Sequence, residues 1–99
     1  MSIFEIDHSI CPICGSLLSR KSALDQHDNL LVTCQFCGSF GITAEYYEDV
    51  IETAYEEYKQ RVKTFLNTHK SEQQRPLISY LPVSVPKGYK NYRWSQVTG

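Results

Sequence analysis

Four cysteines, Cys11, Cys14, Cys34 and Cys37, form two Cys-x-x-Cys pairs with nineteen residues between them. That spacing is the two-pair pattern of a tetrahedral metal site. Two thiolates three residues apart reach one ion only if the backbone between them turns tightly. Pro12 presets one dihedral of the first turn, and Gly15 and Gly38 supply the unusual geometry that follows each pair. Four sulfurs complete a shell with no open position for water, so the centre is expected to be structural and not catalytic. One structural Zn2+ is the predicted cofactor. Iron would use the same sulfurs, and spacing does not separate the two, although nothing in the chain suggests electron transfer. His8, His27 and His69 are predicted at the surface, with His8 the nearest neighbour of the metal shell.

The redox setting follows from the rest of the chain. No run approaches the ~20 apolar residues of a membrane span. The opening Met1–Asp7 has neither a basic start nor an apolar stretch, so it does not read as a signal peptide. A cytoplasmic location is therefore expected, where thiols stay reduced and a pair of disulfides is disfavoured. A thioredoxin-like redox pair would need a βαβ setting and no second matching pair. The 99 residues are 41% apolar and 21% charged, ordinary for a folded domain, and too few to build a large core without help. A formal charge of −1 excludes a protein held to nucleic acid by bulk charge alone.

The elements that must position the cysteines are read from period and punctuation. Ser16–Ser19, Leu30–Thr33 and Ser39–Ile42 read as short strands, with a turn at Asp25–Asn29. The predicted fold is a small α+β metal-bound domain: a three-stranded zinc ribbon over residues 1–42, with Leu17, Leu31, Phe36, Phe40 and Ile42 as core. Thr43 then reads as an N-cap. Tyr47, Ile51, Ala54, Tyr58, Val62 and Phe65 follow in steps of three and four, which predicts one amphipathic helix over 43–70. At ~1.5 Å per residue it would be about 37 Å long, more than a ribbon can cover. Residues 71–99 carry prolines at 76, 82 and 86, and are predicted to form an extended arm with a basic, aromatic tail.

The run Cys34-Gln35-Phe36-Cys37-Gly38-Ser39-Phe40-Gly41-Ile42-Thr43, between an apolar strand and a helical stretch, resembles a zinc ribbon of many prokaryotic and phage proteins. There it forms a small free-standing protein or an N-terminal module, usually without assigned function. Arg75-Pro76-Leu77-Ile78 is also similar to that group, so the resemblance spans residues 10 to 80, its specific part being the two cysteine pairs. A looser resemblance, over residues 11 to 37, is to the ribbon half of bacterial antitoxins that grip a toxin. The helix-turn-helix half of those proteins has no counterpart here. Either resemblance implies a binding module, a bacterial or phage regulator, and neither supplies a substrate.

The predicted function is a zinc-binding adaptor that recognises another protein, or a second copy of itself, in a regulatory or inhibitory role. Tyr47, Ile51, Tyr55, Tyr58 and Tyr80 are the expected contact residues, since tyrosine combines an apolar body with a polar tip. The alternative is nucleic-acid binding by the tail, where Lys87, Lys90 and Arg93 interleave with Tyr89, Tyr92 and Trp94. Acids from Glu45 to Glu57 could instead mimic a nucleic acid, although an acidic helix start is ordinarily a solvated face. No nucleophile–histidine–acid pattern, phosphate loop or His-Glu-x-x-His is present, so no enzyme, small-molecule substrate or membrane partner is predicted.

Overall fold

The computed structural model describes residues 3–53 and 56–98 of the chain. Along Asn29–Cys34 (β2) the side chains of Leu30, Val32 and Cys34 are buried, the period-two signature of a strand with one face on a core. β2 pairs antiparallel with Ala23–Leu24 (β1) and with Gly38–Thr43 (β3). Between β1 and β2 the Asp25 carboxylate accepts from the His27 and Asn29 amides at 2.8 and 2.9 Å, and Asp28 takes the left-handed conformation at φ 59°. The turn expected there forms as the Asp and Asn chemistry dictates.

The three-stranded ribbon with a long helix and an extended arm is not what the chain builds. Its sheet has five strands in the order β1-β2-β3-β4-β5, with Arg75–Ser79 as β4 and Tyr89–Arg93 as β5. β4 lies between β3 and β5 and is parallel to both. The supposed arm is therefore an inner strand. Pro76, Leu77, Ile78 and Ser79 are all buried, as a strand covered on both faces requires. Pro76 is tolerated because the β3–β4 register begins one residue later, at Gly41↔Leu77, so the missing donor opens the ladder without interrupting it. The expected strand Ser16–Ser19 reduces to a single bridge, Ile10↔Leu17.

The helical stretch is divided. Thr43 does cap it, its hydroxyl accepting from the Tyr46 amide at 3.2 Å. Ala44–Tyr46 (α1) runs into a π-helical turn, Tyr47–Ile51, closed by the Glu52 amide on the Tyr47 carbonyl at 2.8 Å. Tyr46 and Ile51, five residues apart, are both in the core. A regular helix of ~3.6 residues per turn would set them on different sides, and the wider turn turns both inward. Glu52 and Thr53 make a turn, and Glu56–Thr68 (α2) carries Val62 and Leu66 inward. A continuous rod of about 37 Å would also overrun a molecule whose longest extent is 28 Å. A final short helix, Trp94–Thr98 (α3), packs against α2 and buries Val97.

One core joins these layers. Leu30, Val32, Phe40, Ile42 and Ile78 from the sheet meet Tyr46, Ile51, Val62 and Leu66 from the helices, with Ile3 of the N-terminal segment. Of the residues expected in the core, Phe40 and Ile42 are there and Leu31 is half-buried. Leu17 (74% exposed) and Phe36 (51%) are outside it. The Tyr46 hydroxyl is buried with no hydrogen-bond partner, and burial holds its pKa well above the usual phenol range. Leaving such a group unpaired costs ~1–3 kcal/mol. Tyr46→Phe is therefore expected to raise stability by about 1 kcal/mol in urea titration, where most core changes lower it.

The outer edge of β5 is closed from within. The β4–β5 register turns the amides of Tyr89, Asn91 and Arg93 outward. The Tyr89 amide donates to the Pro86 carbonyl at 3.1 Å and the Arg93 amide to the Gln96 side chain at 2.8 Å.

Candidate metal centre

The two loops that carry the cysteines sit at one end of the sheet. Cys11 and Cys14 lie on the loop after the N-terminal segment, and Cys34 and Cys37 close the turn between β2 and β3, where Cys34 pairs with Gly38. The first loop is folded by the Gly15 amide on the Cys11 carbonyl and the Cys11 amide on the Ser16 carbonyl, both 2.9 Å. Gly15 and Gly38 have φ of 76° and 85°, the left-handed geometry their positions demand. The Ile13 and Cys14 amides then point at the Cys11 sulfur, and those of Phe36 and Cys37 at the Cys34 sulfur. Oriented amides of this kind stabilise negative charge on sulfur.

All four sulfurs lie within 4.8 Å of one another. Cys11 and Cys37 are 3.9 Å apart at sulfur, and Cys14 and Cys34 3.5 Å. A tetrahedron with metal–sulfur bonds of ~2.3 Å has sulfurs about 3.8 Å apart. The donor set fits one ion, with no pair of sulfurs more than about 1 Å wider than that edge. Cys11, Cys34 and Cys37 are buried and belong to the hydrophobic core, so the site is an internal part of the fold and not a surface appendage. The hydrogen bond between Cys11 and Cys37 holds the Cys11 thiol down, to about 5, against the opposing effect of burial. The same contact, together with burial, drives Cys37 far up, and burial raises Cys34. Four thiols so crowded ionise together only if a cation balances them.

Sequence reasoning missed the side chain that fastens the second loop. Lys70, just past α2, donates from Nζ to the Gln35 carbonyl at 3.1 Å. Its Cγ would stand 3.1 Å from a β-carbon added at Gly38. Glycine is thus required there for backbone geometry and for the approach of this lysine. Nothing in the spacing of a solitary lysine thirty-five residues away signals that contact. His8 bonds Ser22 through Nδ1 at 3.0 Å.

The other predicted residues are distributed as follows. Ile51 is in the core and Tyr47 half-buried against it. Tyr58 is half-buried with the Arg61 guanidinium 5.8 Å from its ring centre, and Tyr55 lies outside the described residues. Tyr80 is exposed at its edge and stacks on Trp94, with centroids 5.9 Å apart. The basic, aromatic tail is β5, and strand alternation divides it. Lys90 and Tyr92 share the face of Ile78, which is the helix side, while Tyr89 and Arg93 take the other. Lys87 and Arg93 are exposed, and Arg75 lies over the Tyr89 ring at 5.8 Å. Between the parallel strands β4 and β5 the segment 80–88 runs back along the sheet, with Leu81 and Val83 exposed. It walls a groove of about 480 Å³ with Asp28, Thr43 and Glu45. No described helix is long and apolar enough to cross a membrane.

No protein-family model, curated protein or solved structure matches this chain.

Proposed function

We propose that this chain is a non-enzymatic recognition module clamped by one structural Zn2+. The observation that carries the reading is the set of four converging cysteine sulfurs, three of them buried in the core. Cys11, Cys14, Cys34 and Cys37 would hold the ion, and what it supplies is fold stability. Four thiolates fill a tetrahedral shell and leave no position for a substrate or an activated water. With its core committed to the clamp and the sheet, the chain has its surface side chains left for function. The predicted adaptor surface on a continuous helix face loses Ile51 to the core, so recognition falls to the exposed parts of α2, β5 and the 80–88 crossover.

Zinc is preferred over iron because the chain offers no partner group for electron transfer. Elemental analysis of protein purified under reducing conditions tests this directly. One zinc per chain and a colourless solution are expected. A red, iron-loaded protein, or well-folded protein with no metal, would overturn the reading.

A further inference from the structure

The charges of this chain are segregated. From Tyr58 onward it carries eight of its ten Lys and Arg residues and one of its eleven acids, Glu72. Glu72 is engaged with His69, Oε1 to Nδ1 at 2.7 Å. The sheet keeps this segregation in space, although α2 itself opens on Glu56 and Glu57 just before Tyr58. The acidic β1–β2 turn, with Asp25 and Asp28, is at one edge of the sheet, and β5, with Lys90 and Arg93, is at the other. Four inter-strand steps of ~4.8 Å put the edges about 19 Å apart. Physiological salt screens charge over ~8 Å, so a ligand at β5 is little affected by the acidic edge. A net charge of −1 conceals a basic pole.

On that pole, two cation–ring pairs flank a cluster of three rings. Arg61 lies over Tyr58, one turn further along α2 comes Phe65, and His69 follows just past the end of the helix. The rings of Phe65 and His69 each meet Tyr92 with centroids 5.0 Å apart, and the Lys90 ammonium is 5.2 Å from the centre of Tyr92. Tyr58, Phe65, His69 and Tyr92 are all half-buried, so each ring keeps a minor part of its surface in solvent.

We propose that this strip of α2 and β5 binds single-stranded nucleic acid, with Arg61 and Lys90 tracking phosphates and the rings receiving unpaired bases. The proposal deepens the reading of the chain as a recognition module and rests on it. Single strands are selected because bases within a duplex are stacked and cannot lie on a protein ring. An acidic protein would match the charge and leave the rings without a purpose.

The test is fluorescence anisotropy of the zinc-loaded full chain with labelled dT15 and rU15, which separates DNA from RNA. Micromolar binding of at least one is expected. Arg61→Glu with Lys90→Glu should weaken it at least tenfold, and Arg61→Gln with Lys90→Gln should do so to a smaller extent. The slope of log K against log salt should fall by about 1.4 for two lost phosphate contacts in a single strand. Arg20→Glu with Lys21→Glu, outside the strip, should leave affinity unchanged. Absence of binding in zinc-loaded, folded protein overturns this inference alone. Equal weakening by the Arg20 and Lys21 changes, or competition by polyglutamate as effective as that by dT15, overturns it too. Protein that folds without metal overturns the underlying reading instead.

Discussion

A Cys34→Ser chain, or the native chain after exhaustive chelation, is expected to lose its metal and unfold. Structural zinc contributes an apparent ~10–16 kcal/mol in small peptides, against a whole-domain stability of ~5–15 kcal/mol. Here the loss is not confined to one end. Cys11, Cys34 and Cys37 are members of the same buried cluster as Phe40, Ile42 and Leu66. Removing the ion leaves like-charged or protonated sulfurs packed 3.5–3.9 Å apart inside that cluster. Far-UV circular dichroism should lose its cooperative thermal transition, and zinc should restore it in the chelated native chain but not in the variant. Because the ligands must be deprotonated to bind, acid should release the metal and unfold the chain in one step. A Cys34→Ser protein with native spectrum and melting would show that the cluster does not hold the fold.

The second large effect is expected at Phe40. Its side chain is fully buried on β3, opposite Val32 on β2 and in the layer that meets the helices. Truncating a buried Phe to Ala typically costs ~3–5 kcal/mol, through lost transfer energy and the cavity left behind. Phe40→Ala should therefore consume a fifth or more of the stability of an ordinary domain, and its urea midpoint should fall steeply. Phe36→Ala is the matched control. Phe36 is half-exposed on the second cysteine loop, and its loss should change stability by less than ~0.5 kcal/mol. Equal effects at the two positions would mean that the core is not organised around β3.

The contrast between these phenylalanines shows how far the chain can be read before its structure is seen. The cysteine pairs were legible because a metal site is a local chemical pattern, two tight turns with glycines after them, and their convergence is recovered by the fold. β2 and β3 were legible too, together with the Asp25 turn and the Thr43 cap, since each depends on neighbours in sequence. Which leucine faces the core was not. Leu30 and Leu31 are adjacent, and a one-residue change of register exchanges the faces. The inner strand β4 was hidden by Pro76. A proline argues against an inner strand unless the neighbouring ladder happens to begin after it, a fact of pairing and not of composition. The continuous helix failed for a related reason. Apolar residues at steps of three and four supported it, but burying both Tyr46 and Ile51 required a wider turn, and the chain then folds back to lay α2 on the sheet.

The edge of β5 has a consequence for assembly. Sheets ordinarily polymerise by offering a row of unpaired amides to an incoming strand. With the Tyr89 and Arg93 donors on either side of Asn91 already spent on Pro86 and Gln96, and with β1 at the opposite margin only two residues long, each side offers only a short template. Crowding should therefore not drive these molecules into cross-β fibres through their native margins. Higher-order complexes are expected to be built chiefly by side chains.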